Sequence, residues 1–249
     1  MAKTPHRANN YIYRNFIPQL RKHRDQVMYS GRIGAIGRTT SSRYRLVALC
    51  AFFSLLCFIV TSFFSPTLTA GFGFLVVALI AGGWPAATGV AELRRVRRIY
   101  SHSVIILLSG LCAVAMTLTI HTQQQRLYLL PAIAALGVVA SFLIELSRGE
   151  GARGRLESVI ACSTGVLASV SVAGWVGLAN VYQSTHSPFP MMVAGTVVCV
   201  LTALVGARLV SAGPQEGPRR GAVTLGVTPV AFVGVISYVI AIMLTSMIG

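Results

Sequence analysis

The sequence predicts an all-α, polytopic transmembrane helix bundle of about seven spans, with the amino terminus in the cytoplasm and the carboxyl terminus outside. Three observations carry this. Of 249 residues, 54% are hydrophobic and 11% charged, and the mean hydropathy is +0.70, whereas a soluble domain carries about 25% charged residues. The apolar residues also come in uninterrupted stretches of roughly 20, the length a helix needs to cross a hydrocarbon core of about 30 Å. Finally, the net charge of +15 is distributed so that basic residues return to one side after every second stretch.

Residues 1–45 form a basic cytoplasmic tail. Ten of the 21 Lys and Arg precede Leu46, with a single acid, Asp25. Tyr11, Ile12, Tyr13, Phe16, Ile17 and Leu20 are interleaved with Arg14, Arg21, Lys22 and Arg24. Each cation near an anionic leaflet contributes about 1 kcal/mol, and aromatic rings favour the interface. The tail therefore reads either as a segment lying on anionic inner-leaflet lipids or as a disordered, topology-setting extension. Pro18 prevents one helix from running through 11–29. The glycines between Gly31 and Gly37 follow no strand and make no nucleotide-binding loop, and no nucleic-acid-binding module is present. About 45 polar residues precede the first apolar run, so that run is expected to be a permanent span rather than a cleaved signal.

The transmembrane domain, 46–249, holds spans at about 46–64, 68–89, 103–121, 127–146, 157–180, 189–210 and 222–248. Ser65-Pro66-Thr67 makes a tight turn between the first two. Gly82-Gly83-Trp84-Pro85 marks the end of the second, with an interfacial Trp and a helix-breaking Pro. The connections at 90–102, 147–156 and 211–221 carry Arg94, Arg95, Arg97, Arg98, Arg148, Arg153, Arg155, Arg219 and Arg220. Arg208 lies just before the last of them. Those at 65–67, 122–126 and 181–188 carry Arg126 alone, so 20 of 21 basic residues fall on one side. Pro131, Pro190 and Pro229 read as punctuation near span ends. No internal repeat is apparent.

Two features stand out within the spans. In the fifth, Ala161, Gly165, Ser169, Ala173 and Gly177 recur every four residues. Small side chains let helix backbones approach closely, a main source of association in lipid. The stripe predicts a tightly packed helix, within this bundle first and at an interface with a second copy as the alternative. Glu145 and Glu157 flank the short connection between the fourth and fifth spans, at the inner membrane edge. Their first expectation is ion pairing with Arg148 and Arg153 at helical spacing; the alternative is a polar site, because ionisable groups in a membrane are costly unless paired or hydrated.

The remaining residues offer little chemistry. The cysteines at 50, 57, 112, 162 and 199 sit in apolar runs and read as small buried hydrophobes. The histidines are scattered; His102 and His121 end the third span, and His186 falls in an outer connection with no metal-ligand spacing. The only Asp is Asp25, and neither HExxH nor GxSxG occurs, so catalysis is disfavoured and no cofactor, metal or catalytic residue is expected. Three classes follow in order: a non-enzymatic binding, assembly or accessory subunit; a small permease or channel; an interfacial enzyme acting on a lipid. Expected partners are the bilayer and another membrane protein or a second copy.

Nineteen of the 21 basic residues are Arg, a composition that points to a high-GC bacterium. The Gly82–Pro85 end of span two, Phe142-Leu143-Ile144-Glu145-Leu146-Ser147-Arg148 and Arg155-Leu156-Glu157-Ser158 resemble a family of actinobacterial multi-pass membrane proteins of uncharacterised activity. The resemblance covers residues from about 45 to the end. It implies a bacterial plasma-membrane location and carries over no site residue.

Overall fold

A computed structural model describes residues 40–88, 96–120, 122–147, 155–184, 188–211 and 219–248. All its regular elements are helices: α1 (Thr40–Phe64), α2 (Pro66–Ala87), α3 (Val96–Thr119), α4 (Gln123–Leu146), α5 (Arg155–Ser171), α6 (Ala173–Ser184), α7 (Pro188–Ser211) and α8 (Arg219–Ile248). Residues Ser41–Gly249 form one compact unit. Among the described residues, six stretches are helical, long and apolar enough to cross a membrane, with α5 and α6 counted as one. In α7 the apolar part described is Gly195–Leu204. The chain is thus an all-α, membrane-embedded helix bundle.

The junction between α1 and α2 is tighter than the expected three-residue turn. Only Ser65 separates the helices; Pro66 and Thr67 already belong to α2. Ser65 is extended (φ −166°, ψ 140°), and its Oγ accepts the Thr67 N–H at 3.2 Å. Pro66 takes the first helical position, where its missing N–H leaves no bond unmade. At the other end of α2, both the N–H and the Oγ1 of Thr88 donate to the Trp84 carbonyl, each at 3.0 Å.

Prolines of the spans lie inside helices that continue through them. Pro131 is within α4 and Pro229 within α8, and Pro85 falls in the last turn of α2. Neighbouring helices make such positions tolerable in a membrane. Gly206 of α7 makes room for one of them: a Cβ there would stand 2.5 Å from the Pro229 Cβ.

The fifth span is one rod in two pieces. Helix geometry is interrupted at Val172, where the Val172 N–H donates to Ser169 (3.3 Å) and the Trp175 N–H to Val172 (3.1 Å), bonds that reach back three residues. No proline is involved. Ser169 and Ser171 donate their hydroxyls to Val166 and Leu167 carbonyls at 2.9 and 2.7 Å, and such back-bonding bends helices. This rod is the centre of the bundle. Over its most apolar 18 residues it is 78% buried, against 22% for α4, and it packs against α2, α3, α4, α7 and α8.

Glycines open the helix surfaces to donors from their neighbours. Trp84 Nε1 donates to the Ala161 carbonyl (2.5 Å), Trp175 Nε1 to Val230 (2.9 Å) and Thr224 Oγ1 to Leu79 (3.1 Å). In each case the residue four positions beyond the acceptor is a glycine: Gly165, Gly234 and Gly83. On a helix the side chain at i+4 sits over the turn that holds carbonyl i. Its removal lets an indole or a hydroxyl reach a carbonyl already engaged in the helix. A Cβ on Gly165 would stand 2.7 Å from Trp84 Cδ1, and Cβ atoms on Gly234 and Gly83 would collide with Trp175 and Thr224. Phe58 of α1 then stacks on the Trp175 ring (centroids 5.0 Å apart, planes 8°) and meets Phe72 edge-on at 4.7 Å.

Candidate functional site

The described part of the bundle buries two charged-type side chains on α4, and both face inward. The inner stripe of α4 is Arg126, Leu130, Gly137, Ser141 and Glu145. The four- and seven-residue steps between these put them on the face that meets α3 and α5. Gly137 lets α4 approach closely; a Cβ there would be 2.6 Å from both Ser109 Oγ and Val166 Cγ1. Ser141 Oγ lies 3.2 Å from Ser163 Oγ. At the last turn of α4, Glu145 is only 3% exposed.

Glu145 meets partners from two other helices. Its Oε1 accepts the Ser158 hydroxyl at 2.7 Å and lies 3.0 Å from His102 Nε2. Ser158 Oγ and His102 Nε2 are 3.4 Å apart. His102 comes from the second turn of α3 and Ser158 from the first turn of α5, and both are buried. Chain connectivity brings them together, because the start of α3, the end of α4 and the start of α5 lie at one end of the bundle. An acid and a base at hydrogen-bonding distance can share one proton, as an ion pair or as two neutral groups, so neither is buried as a lone charge.

The composition Ser, His, Glu invites comparison with a nucleophile relay, and the geometry differs from one. In such a relay the serine and the carboxylate occupy opposite nitrogens of the imidazole. Here both converge on Nε2, and the serine hydroxyl donates to the carboxylate. The arrangement holds a proton between α3 and α4 and ties α5 to it. Among the described residues, no group of three or more His, Cys, Asp or Glu side chains is placed to hold a metal ion.

The structure places the remaining expected site residues as follows. Glu157 is exposed and does not join Glu145, although it is one residue from Ser158. Arg148 and Arg153 lie outside the described residues, as do His121 and His186 and the tail residues Tyr11, Arg14, Phe16, Arg21 and Lys22. Ala161, Gly165, Ser169, Ala173 and Gly177 are all buried in the central rod. Ala161 and Gly165 receive Trp84, a Cβ on Gly110 would come within 2.9 Å of Ser169 Cβ, and one on Gly177 within 2.8 Å of Tyr238 Cε2. Arg126, expected in an outer connection, stands in the first turn of α4, 4% exposed, with Nε donating to the Ile120 carbonyl at 2.6 Å. Helix α4 begins four residues earlier than the apolar run because Gln123, Gln124 and Gln125 are helical too.

His102 and Ser158 are the partners that sequence reasoning missed. A signal was present: the alternation of spans puts the first residues of the third and fifth on the same side as the last residues of the fourth.

The fold and this site define an integral membrane helix bundle with a buried acid–base pair at one end. Against protein-family models, curated proteins and solved structures, the chain has no match in any of the three comparisons.

Proposed function

We propose that this chain is a non-enzymatic, multi-pass protein of the bacterial plasma membrane that acts by binding and assembly, as an accessory subunit to another membrane protein or to a second copy of itself. The observation that supports this reading is where its polar groups are used. Glu145, His102, Ser158, Ser141, Ser163 and Arg126 join helices of this one chain, and the outward faces are apolar: Phe52, Phe53 and Phe64 on α1, Leu136, Phe142 and Leu143 on α4. Such faces meet lipid or a partner's spans. The basic tail adds attraction to anionic inner-leaflet lipids. The test is purification from native membranes in mild detergent: a stoichiometric partner or a defined homo-oligomer is expected, and a lone monomer with solute flux would sink the reading. The resemblance to actinobacterial multi-pass proteins belongs to the same proposal, as do seven spans with a cytoplasmic amino terminus. A reporter fused after Gly249 is expected to report from outside.

A permease is the second reading, and the buried Glu145–His102 pair favours it, because ionisable groups within a bundle are default candidates for proton relays. It predicts a proton-coupled flux that Glu145→Gln abolishes while the variant still folds. If Glu145→Gln changes stability alone, the pair is a clasp.

A further inference from the structure

Arg126 is a buried cation with no carboxylate beside it among the described residues. It is 4% exposed in the first turn of α4, and its Nε donates to the Ile120 carbonyl. The carboxylates of the described residues, Glu145 and Glu157, lie in the last turn of α4 and the first turn of α5. At about 1.5 Å per residue, Glu145 is about 28 Å from Arg126 along α4. The remaining acids of the chain precede α1 or fall in the connections that follow α2, α4 and α7. The junctions that follow α1, α3 and α6, at the Arg126 end, contain none. A cation held away from water without an opposite charge is costly, and an anion from outside the chain would offset that cost.

The donors around Arg126 are likewise unspent. The guanidinium sits against the Tyr238 phenol of α8. That side chain is 1% exposed, and its hydroxyl has no hydrogen-bond partner among the described residues. Gly177 of α6 seats the ring, since a Cβ there would be 2.8 Å from Tyr238 Cε2. At the start of α4 the N-cap Thr122 makes no side-chain hydrogen bond to the helix. The N–H groups of Gln123, Gln124 and Gln125 have no intrahelical acceptor, and Thr122 through Gln125 are exposed. Side chains on a helix lean towards its N-terminus. Arg126 does so, and Ile120, which fixes its Nε, stands two residues before the cap. The guanidinium is thus tethered beside the open end of α4, with the phenol against it.

We propose that the start of α4 binds a phosphate-class oxyanion, held by the Arg126 guanidinium, the Tyr238 hydroxyl and the first-turn N–H groups of α4. The donor set selects this ligand. A guanidinium offers parallel N–H bonds to two oxygens of one anion, and a helix N-terminus favours negative charge with its free N–H groups. A phosphate group has oxygens for all three kinds of donor, whereas a carboxylate has fewer. The anion approaches over the exposed first turn, from the end of the bundle opposite Glu145. A lipid phosphodiester at that edge and free inorganic phosphate present the same oxygens. The inference rests on Arg126 and its surroundings and is independent of the assembly and permease readings.

The test is thermal unfolding of the full chain in neutral detergent, followed by tryptophan emission at constant ionic strength. The probes are sodium phosphate and, in a separate series, phosphatidylglycerol mixed into the micelles. The wild type is expected to show a saturable rise in midpoint. A rise with phosphatidylglycerol alone assigns the anion to a headgroup, and a rise with sodium phosphate supports a site for the free ion. Tyr238→Phe keeps the ring on Gly177 and lacks the hydroxyl, so half-saturation should need about 10-fold more probe. Thr122→Asp sets a carboxylate at the exposed N-cap without repacking the core. It should raise the midpoint in the absence of probe and abolish the response, because the chain then carries its own anion. Absence of a saturable response in the wild type to both probes would overturn the site and leave Arg126 to a carboxylate of another chain. A response unchanged in either variant would overturn its placement between α4 and α8.

Discussion

Gly165→Ala is expected to destabilise the bundle, although alanine is the better helix former. The new methyl would stand 2.5 Å from Ile106 Cδ1, 2.7 Å from Trp84 Cδ1 and 2.9 Å from Trp84 Nε1. Each distance is well inside van der Waals contact, so the indole must move. Overpacking of a tight core costs about 1–3 kcal/mol. Displacing Trp84 also lengthens its hydrogen bond to Ala161, and such interhelical bonds in membranes are worth about 0.6 kcal/mol on average and up to about 1.7. Against this, Gly to Ala within a helix gains about 1 kcal/mol. The net expectation is a loss of roughly 1–3 kcal/mol. Gly82→Ala is the matched control: it lies on the exposed face of α2, and its Cβ meets nothing within 4 Å. There only propensity acts, and stability should hold or rise by up to about 1 kcal/mol. Denaturant titration in detergent, followed by tryptophan emission, measures both. If Gly165→Ala is as stable as Gly82→Ala, the indole is not seated on the glycine and the packing argument fails.

The buried pair yields a contrast of the same kind. Glu145→Leu leaves His102 and Ser158 facing an apolar group and should cost about 1–3 kcal/mol, whereas Glu145→Gln keeps an oxygen for the Ser158 hydroxyl and should stay within about 1 kcal/mol of the wild type; equal unfolding midpoints for the two would contradict the geometry. Ser141→Cys combined with Ser163→Cys places two sulfurs where the hydroxyls are 3.2 Å apart, so that a side-chain adjustment of about 1 Å reaches the S–S bond of about 2.05 Å, and mild oxidation should remove two hydrogens within one chain by intact mass. Absence of that bond would mean that α4 does not sit on α5 as described. Arg126→Met removes a buried guanidinium that sits against the Tyr238 phenol as well as the Ile120 carbonyl and should cost about 1–3 kcal/mol; an unchanged midpoint in the same titration would show that neither contact holds the helices together.

Much of the fold was legible because span length and charge are properties of the sequence itself. Six of the expected spans fall on helical stretches long and apolar enough to cross a membrane, the fifth of them on two helices in line. The misplacements have local causes. Proline suits a turn, which is how Pro66 reads in the sequence, yet it suits a first helical position equally well. Arg126 reads as part of a connection because it is charged, yet α4 extends through three glutamines that hydropathy does not score as helix. The interruption at Val172 lay hidden under the four-residue spacing of the small stripe, which continues across it. The pairing of Glu145 with His102 depends on how α3 and α4 are rotated about their axes. Hydropathy carries almost no information on rotation when a helix is apolar all round. The polar and small residues Arg126, Gly137, Ser141 and Glu145 do carry it, since together they define the buried stripe of α4.

That stripe also bears on the choice between the two functional readings. Helix α4 presents Tyr128, Leu136, Phe142, Leu143 and Leu146 outward and is held by polar and small groups, the expected form of docking where lipid competes for apolar faces. From Glu145 the polar seam rises through Ser141 and Ser163 to Ser109 beside Gly137, about 12 Å along the axis at about 1.5 Å per residue. Beyond that level α4 turns Leu130, Ile133 and Ala134 towards its neighbours before Arg126 is reached. A coupled carrier places its ionisable site near the midplane and opens it to both sides. A carboxylate at the last turn of a helix, at the foot of a seam that ends in apolar side chains, is better suited to fastening three helices than to passing a proton across them. A transport role would require α4 to rotate or slide so that Leu130 leaves the path. The disulfide between positions 141 and 163 forbids that motion, so flux that survives the cross-link would exclude an α4-gated carrier, and partner binding that survives it would support assembly.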